Sequence, residues 1–259
     1  MKTLLPLMNP TEVSEAAARD AVVLIPIGTT EVNGPHLPLG LDYLIAAALA
    51  ERAAEQLDGV WLPPITVGVS QALDSFAGTL VVSPTTLGDQ VRSLLTSVIG
   101  HGFRQIVVLN NHIPNQYPVE YAIRDTRRST GVVVPLIFPA QLALTLTKDI
   151  FEGREDELGH GGEPSTSLML ALHPDAVRLD LVQPAKIARY KDLEVVSPLE
   201  VAFEGSRVNL FLDVADLSDT GGWGDPSNAS AERGHEILGR MLRYICDFCR
   251  TWAEANATI

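Results

Sequence analysis

The sequence predicts an α/β fold: one domain over residues 1–259, built on a mostly parallel central sheet with helices on both faces. Three observations carry this. The apolar runs 21–28, 104–111 and 131–138 are continuous rather than alternating, as strands buried on both faces require. Helical patterns separate them, which is the order of parallel βαβ units. Polar loops rich in turn residues follow two of the runs at once, where open parallel sheets gather ligands beyond the carboxyl ends of their strands.

The elements follow in order. AVVLIPIG (21–28) is a fully buried strand, and LDYLIAAALAERAAEQL (41–57) is a helix of strong helix formers. VWLPPITVG (60–68) is a second strand. TTLGDQVRSLLTSVIGHG (85–102) is a helix: Val91, Leu94, Leu95 and Val98 recur at helical spacing and Gly102 is its C-cap. RQIVVLNN (104–111) and GVVVPLIF (131–138) are further strands. Residues 139–163 are less regular and end in the charged, glycine-rich EGREDELGHGGE. PSTSLMLALHP (164–174) is a helix with Pro164 near its first turn. Residues 175–222 hold short runs of weak periodicity, and turn chemistry at GGWGDPSN leads into a long amphipathic C-terminal helix. No repeat, linker or low-complexity segment divides the chain.

Composition narrows the function. A chain that is 46% hydrophobic and 20% charged builds a real core. A net charge of −13 disfavours nucleic acid and anionic membrane surfaces as partners. No apolar run reaches the ~20 residues that span a bilayer, and the N-terminal segment lacks the features of a signal peptide. The two cysteines, Cys246 and Cys249, lie in a helical pattern and read as small apolar residues there. With no disulfide framework, a cytoplasmic location is expected.

Glu31, Asp42, His112, His160 and Glu163 come from three separate loops. Carboxylate oxygen and imidazole nitrogen together suit Zn²⁺, Mn²⁺ or Fe²⁺. Each residue also has a plainer role open to it. His36 between Pro35 and Leu37 can brace its loop, and Glu163 ahead of Pro164 can complement a helix dipole. His101 and His173 sit at helix C-terminal ends, and His235 on a helix surface.

The stretch LIPIGTTEVNGPHLPLGLD resembles the signature of the creatininase (creatinine amidohydrolase) family. The likeness continues through SFAGTLVVSPTTL, HGFRQIVVLNNHIPN, GHGGEPSTSLML and GDPSNASAERG, in family order from about residue 20 to 240. The resemblance implies a three-layer α/β/α fold, a homohexamer, and a two-metal centre that hydrolyses small cyclic or linear amides. It places Glu31, Asp42 and His112 on one metal and makes His160 the acid–base of the catalytic loop. The second metal's ligands in the family match Asn33, and either Pro114 or Ser165, none of which is a good ligand. One divalent metal per chain is therefore expected, zinc or manganese with iron also possible. Glu163 is a candidate replacement ligand or catalytic carboxylate, and Asn33 and His36 are candidate substrate-binding residues.

The function expected is a metal-dependent amidohydrolase acting on a small cyclic amide, lactam or related C–N bond. The alternative is a non-hydrolytic enzyme of the same fold, a cyclase, lyase, isomerase or dehydratase with one metal or none. A non-catalytic binding protein is the third possibility.

Overall fold

The structure, a computed structural model, describes residues 2–187, 189–197 and 199–256. Four strands, β1 (Val23–Ile27), β2 (Val60–Trp61), β3 (Ile106–Asn110) and β4 (Leu136–Ile137), form one sheet in the order β2-β1-β3-β4, with every pair parallel. The β1–β3 pair is the spine: Val23 lies opposite Ile106 and Ile27 opposite Asn110, so both strands end at the same edge.

Alternation along these two strands builds three layers. Leu24, Val107 and Leu109 face one side. They pack there with α2 (Leu41–Leu57), α5 (Pro139–Leu146), α7 (Ser165–Leu172) and α8 (Ala231–Asn256). Val23, Ile25, Ile27, Ile106 and Val108 face the other side. Their partners are α1 (Pro10–Ala18), α3 (Pro84–Gly100) and α4 (Gln116–Thr130). Each large apolar side chain buried here contributes about 1.5–3 kcal/mol. Both cysteines are buried in the first of these layers, on α8.

Two strands are shorter than the apolar runs predict. β2 stops at Trp61 because Pro63 and Pro64 have no N–H to give the ladder; the chain still tracks β1 through Leu62 N to the Leu24 carbonyl (3.0 Å) and Ile65 N to the Pro26 carbonyl (3.0 Å). β4 is confined to Leu136–Ile137, although the Pro135 carbonyl accepts from Val108 N at 2.9 Å. A second, antiparallel sheet lies outside the main one: β5 (Glu194–Ser197), β6 (Glu200–Phe203) and β7 (Ser206–Asn209). A short helix, α6 (Lys148–Phe151), follows α5. No described helix is long and apolar enough to cross a membrane.

Candidate metal centre

The site stands at the shared carboxyl edge of β1 and β3. Gly28 leaves β1 and donates its N–H to the Ile65 carbonyl at 3.0 Å. Its bare Cα is required, because a Cβ there would collide with the main chain of Asp42 and Tyr43. The first turn of α2 thereby presses against the strand end and brings Asp42 to the sheet edge. Glu31 is fixed by its own N–H to the Leu39 carbonyl, 2.9 Å. From β3, Asn111 donates its N–H to the Ile27 carbonyl at 2.9 Å, which delivers His112 beside them.

Glu31, Asp42 and His112 are all buried, and one ligand atom from each lies within 4.8 Å of the others. His112 Nδ1 is 3.3 Å from Asp42 Oδ2, and Nε2 is 3.4 Å from Glu31 Oε2. His112 Nε2 donates to the Val69 carbonyl at 3.0 Å, which leaves Nδ1 as the nitrogen with a lone pair to offer. Burial works against a charged imidazole here. Without a metal, the carboxylates of Glu31 and Asp42, with the Val69 carbonyl, outweigh it and raise His112 to about 9, so Nδ1 holds a proton toward Asp42 that a bound metal would displace.

The surroundings orient these ligands. Ser70 Oγ donates to Glu31 Oε2 at 2.6 Å, Thr29 Oγ1 to Asp42 Oδ2 at 2.7 Å, and Asn111 Nδ2 to Asp42 Oδ1 at 3.0 Å. Glu31 Oε1 is buried with no hydrogen-bond partner. A buried carboxylate oxygen left open is costly unless something positive occupies the space beside it. Two carboxylates, an imidazole of fixed tautomer and an open oxygen fit a divalent metal.

The other candidates divide. His160 Nε2 donates to the Val32 carbonyl at 2.9 Å and lies 3.9 Å from Glu31 Oε1, while its ring stacks on Trp223 at 5.1 Å between centroids. Asn33 is buried beside the trio, its amide donating to the Glu31 carbonyl at 3.3 Å. Glu163 is fully engaged: it accepts from Ser167 Oγ (2.6 Å), Ser167 N (3.1 Å) and Arg233 Nη1 (2.7 Å). His36 ties its loop to the first turn of α7 through Thr166 Oγ1, 3.0 Å from its Nε2. Burial lowers its pKa, with the Gly161 carbonyl opposing.

Glu31, Asn33, Asp42, His112, His160 and Glu163 all line one cavity of about 720 Å³; His36 lies behind it. Where Gly161 lines the cavity, main chain packs against main chain. Gly161, at φ +76°, abuts the Asn33 carbonyl, and Gly222 abuts Gly34, so no Cβ fits at either crossing. Thr29, Ser70, Asn111 and Trp223 were not singled out from sequence. Asn115 was missed as well: its amide ties Val69 N (2.8 Å) to the Gly28 carbonyl (3.1 Å) across the site floor. The doubled polar residues in GTT and NN directly after β1 and β3 were the available signal.

Fold and site together define an α/β protein that carries a buried carboxylate–imidazole cluster able to hold a metal ion at the carboxyl edge of a parallel sheet. The creatininase family model, described as creatinine amidohydrolase, matches residues 6–249, and the chain belongs to that family. It is 30% identical to the creatinine amidohydrolase of Pseudomonas putida, over 92% of each chain. It is also 30% identical to the mycofactocin precursor peptide peptidase of Mycolicibacterium smegmatis, over 89% of this chain and 85% of that one. A solved manganese creatininase superposes with a TM-score of 0.81 at 25% identity, covering 97% of this chain and 98% of that one.

Proposed function

We propose that the protein is a metal-dependent amidohydrolase that cleaves the C–N bond of an amide, cyclic or linear. The observation that carries this is the buried Glu31–Asp42–His112 set, with its open Glu31 oxygen, facing a cavity beside His160. The names of the relatives above point the same way, one a cyclic-amide hydrolase and one a peptidase.

A divalent metal on Glu31, Asp42 and His112, zinc or manganese with iron(II) also suited to the donors, would supply a Lewis acid and an acidified water when bound. The chain's own groups do the rest. Ser70, Thr29 and Asn111 hold the carboxylates in place. His160 commits Nε2 to Val32 and so keeps Nδ1 to carry a proton to the leaving nitrogen, with Trp223 fixing the ring plane. Asn33 offers an amide to the substrate carbonyl. Glu163 positions the 157–163 loop through Arg233 rather than exchanging protons, and His36 braces the same loop from behind.

One metal per chain is the expected occupancy. Asn33, Pro114 and Ser165 line the cavity where the family pattern needs a second metal's ligands, and none of the three is a good one. That same gap favours the second reading, a non-hydrolytic enzyme in which proton transfer or intramolecular attack replaces water. The remaining expectations, a single domain assembled as a homo-oligomer (hexameric by family resemblance) in the cytoplasm, belong to the same proposal.

The test joins elemental analysis with turnover. Protein purified without added metal should carry close to one equivalent, and the loaded enzyme should hydrolyse members of a panel of cyclic and linear amides. His160→Ala should keep the metal and lose on the order of 10²–10⁴ in kcat. Two tight equivalents would refute the single-metal site, and a metal-loaded protein inert to every amide would refute hydrolysis.

A further inference from the structure

We infer that the amide processed here carries a bulky, uncharged apolar group, of the size of an aromatic or branched aliphatic side chain. That group seats on the cavity wall formed by Ile45, Ala143, Leu144, Leu168 and Phe211. This rests on the amide-hydrolase reading above and adds the class of substrate.

The volume comes first. At about 720 Å³ the cavity falls among those that enclose drug-sized ligands, roughly 300–1,000 Å³. An unsubstituted small amide held at the metal ligands and His160 would fill only a small part of it.

Much of the remaining lining is apolar and comes from separate elements, with Ser197, Glu200 and Asn209 among its polar members. Ile45 projects from α2, Ala143 and Leu144 from α5, Leu168 from α7, and Phe211 from the segment after β7. Ile45, Ala143 and Leu168 are anchored in the core. Leu144 and Phe211 are 43% and 77% exposed although both face the cavity. Apolar surface facing a concave, water-filled space is what an apolar ligand group desolvates on binding.

Charge decides the rest. Two of the cavity's carboxylates are ion-paired within the protein, Glu163 with Arg233 at 2.7 Å and Glu200 with Arg207 at 3.1 Å, while Glu31 and Asp42 face the candidate metal position beside His112. No lysine or arginine is among the described residues lining the cavity, so the wall has no counter-ion for an anionic group.

The experiment measures kcat/KM of the metal-loaded full-length protein on two graded series. One enlarges the acyl side from acetamide through isovaleramide to phenylacetamide; the other enlarges the amine side from methyl through isobutyl to benzyl. In at least one series kcat/KM should climb with apolar size, reaching roughly 10- to 100-fold from methyl to benzyl, the range expected for burying one whole apolar side chain. Leu144→Asn and Phe211→Ala, both at exposed positions, should flatten that slope, and Leu144→Trp, which fills the wall from an exposed position, should reverse it. Calorimetry on the metal-stripped protein supplies a reading independent of turnover: affinity should grow with apolar size, with a negative heat-capacity change.

Hydrolysis that is flat or falls with size in both series would overturn the inference and leave the amide-hydrolase reading standing. Size-graded binding without any hydrolysis by the loaded protein would support the apolar site and overturn hydrolysis instead.

Discussion

Arg233→Met separates a positioning role for Glu163 from a chemical one. Arg233 Nη1 meets Glu163 Oε1 at 2.7 Å and Glu157 Oε2 at 2.8 Å, with side-chain exposures of 13%, 0% and 6% respectively. The guanidinium also lies over the Phe151 ring, 5.5 Å from its centroid. Methionine keeps most of that packing and removes the cation that Glu157 and Glu163 share. An exposed pair would be worth at most about 1 kcal/mol. Stripping one partner from a buried pair costs about 3–5 kcal/mol, because the remaining charge stays desolvated. For a chain of this length that corresponds to a Tm drop of about 6–20 °C, at ~2–4 °C per kcal/mol. Differential scanning calorimetry measures it. The triple variant Glu157→Gln/Glu163→Gln/Arg233→Met, which removes all three charges together, should recover at least half of the loss. Because Arg233 anchors α8 to the loop bearing His160, the single variant should also lower kcat more than it raises KM. A Tm within about 2 °C of the parent would refute the buried-network argument.

Other outcomes follow from single contacts. Ser70→Ala should weaken metal binding about 10- to 100-fold in chelator competition, since Ser70 Oγ orients Glu31 across 2.6 Å; unchanged affinity would remove it from the site. Burial pushes the Cys249 thiol up to about 12. Only about one molecule in 10⁴ is then thiolate at pH 8, and a disulfide reagent should leave it untouched until denaturant is added. His36 holds its proton less tightly when folded than the unfolded chain does, because burial lowers its pKa. Its contribution is therefore present above the unfolded value of ~6.5 and is lost as pH falls below it. Urea titrations of the parent and His36→Gln should diverge in slope against pH there, and parallel curves would exclude His36.

How much the sequence disclosed depended on whether a residue's role is local. β1 and β3 were legible because strands covered on both sides must be apolar throughout; Glu31 and His112 stood out in the polar loops after them, and the grouping of both with Asp42, which lies on α2, came from the family resemblance. α4 was not assigned from sequence. Its exposed face carries Glu120, Arg124, Arg127 and Arg128, and only Pro118, Val119, Ala122 and Thr126 are buried. β5–β7 escaped for the same reason, since this sheet buries little beyond Val195 and Val201 and leaves all of β7 exposed. Ser70 was invisible because a serine acquires meaning only from its partner, and Glu31 lies 39 residues away.

The two sides of the cavity differ in what mutation can change. Where Gly161 meets the Asn33 carbonyl and Gly222 meets Gly34, the surface is peptide backbone with no room for any side chain. No substitution can add a new group there without forcing the loops, and with them His160, out of register. The wall of α5 and the segment after β7 has no such restriction: Leu144 and Phe211 can be enlarged, shortened or made polar without moving the metal ligands. A library meant to redirect this enzyme to another amide should therefore be confined to that wall, where residues can change while the reacting geometry stays as it is.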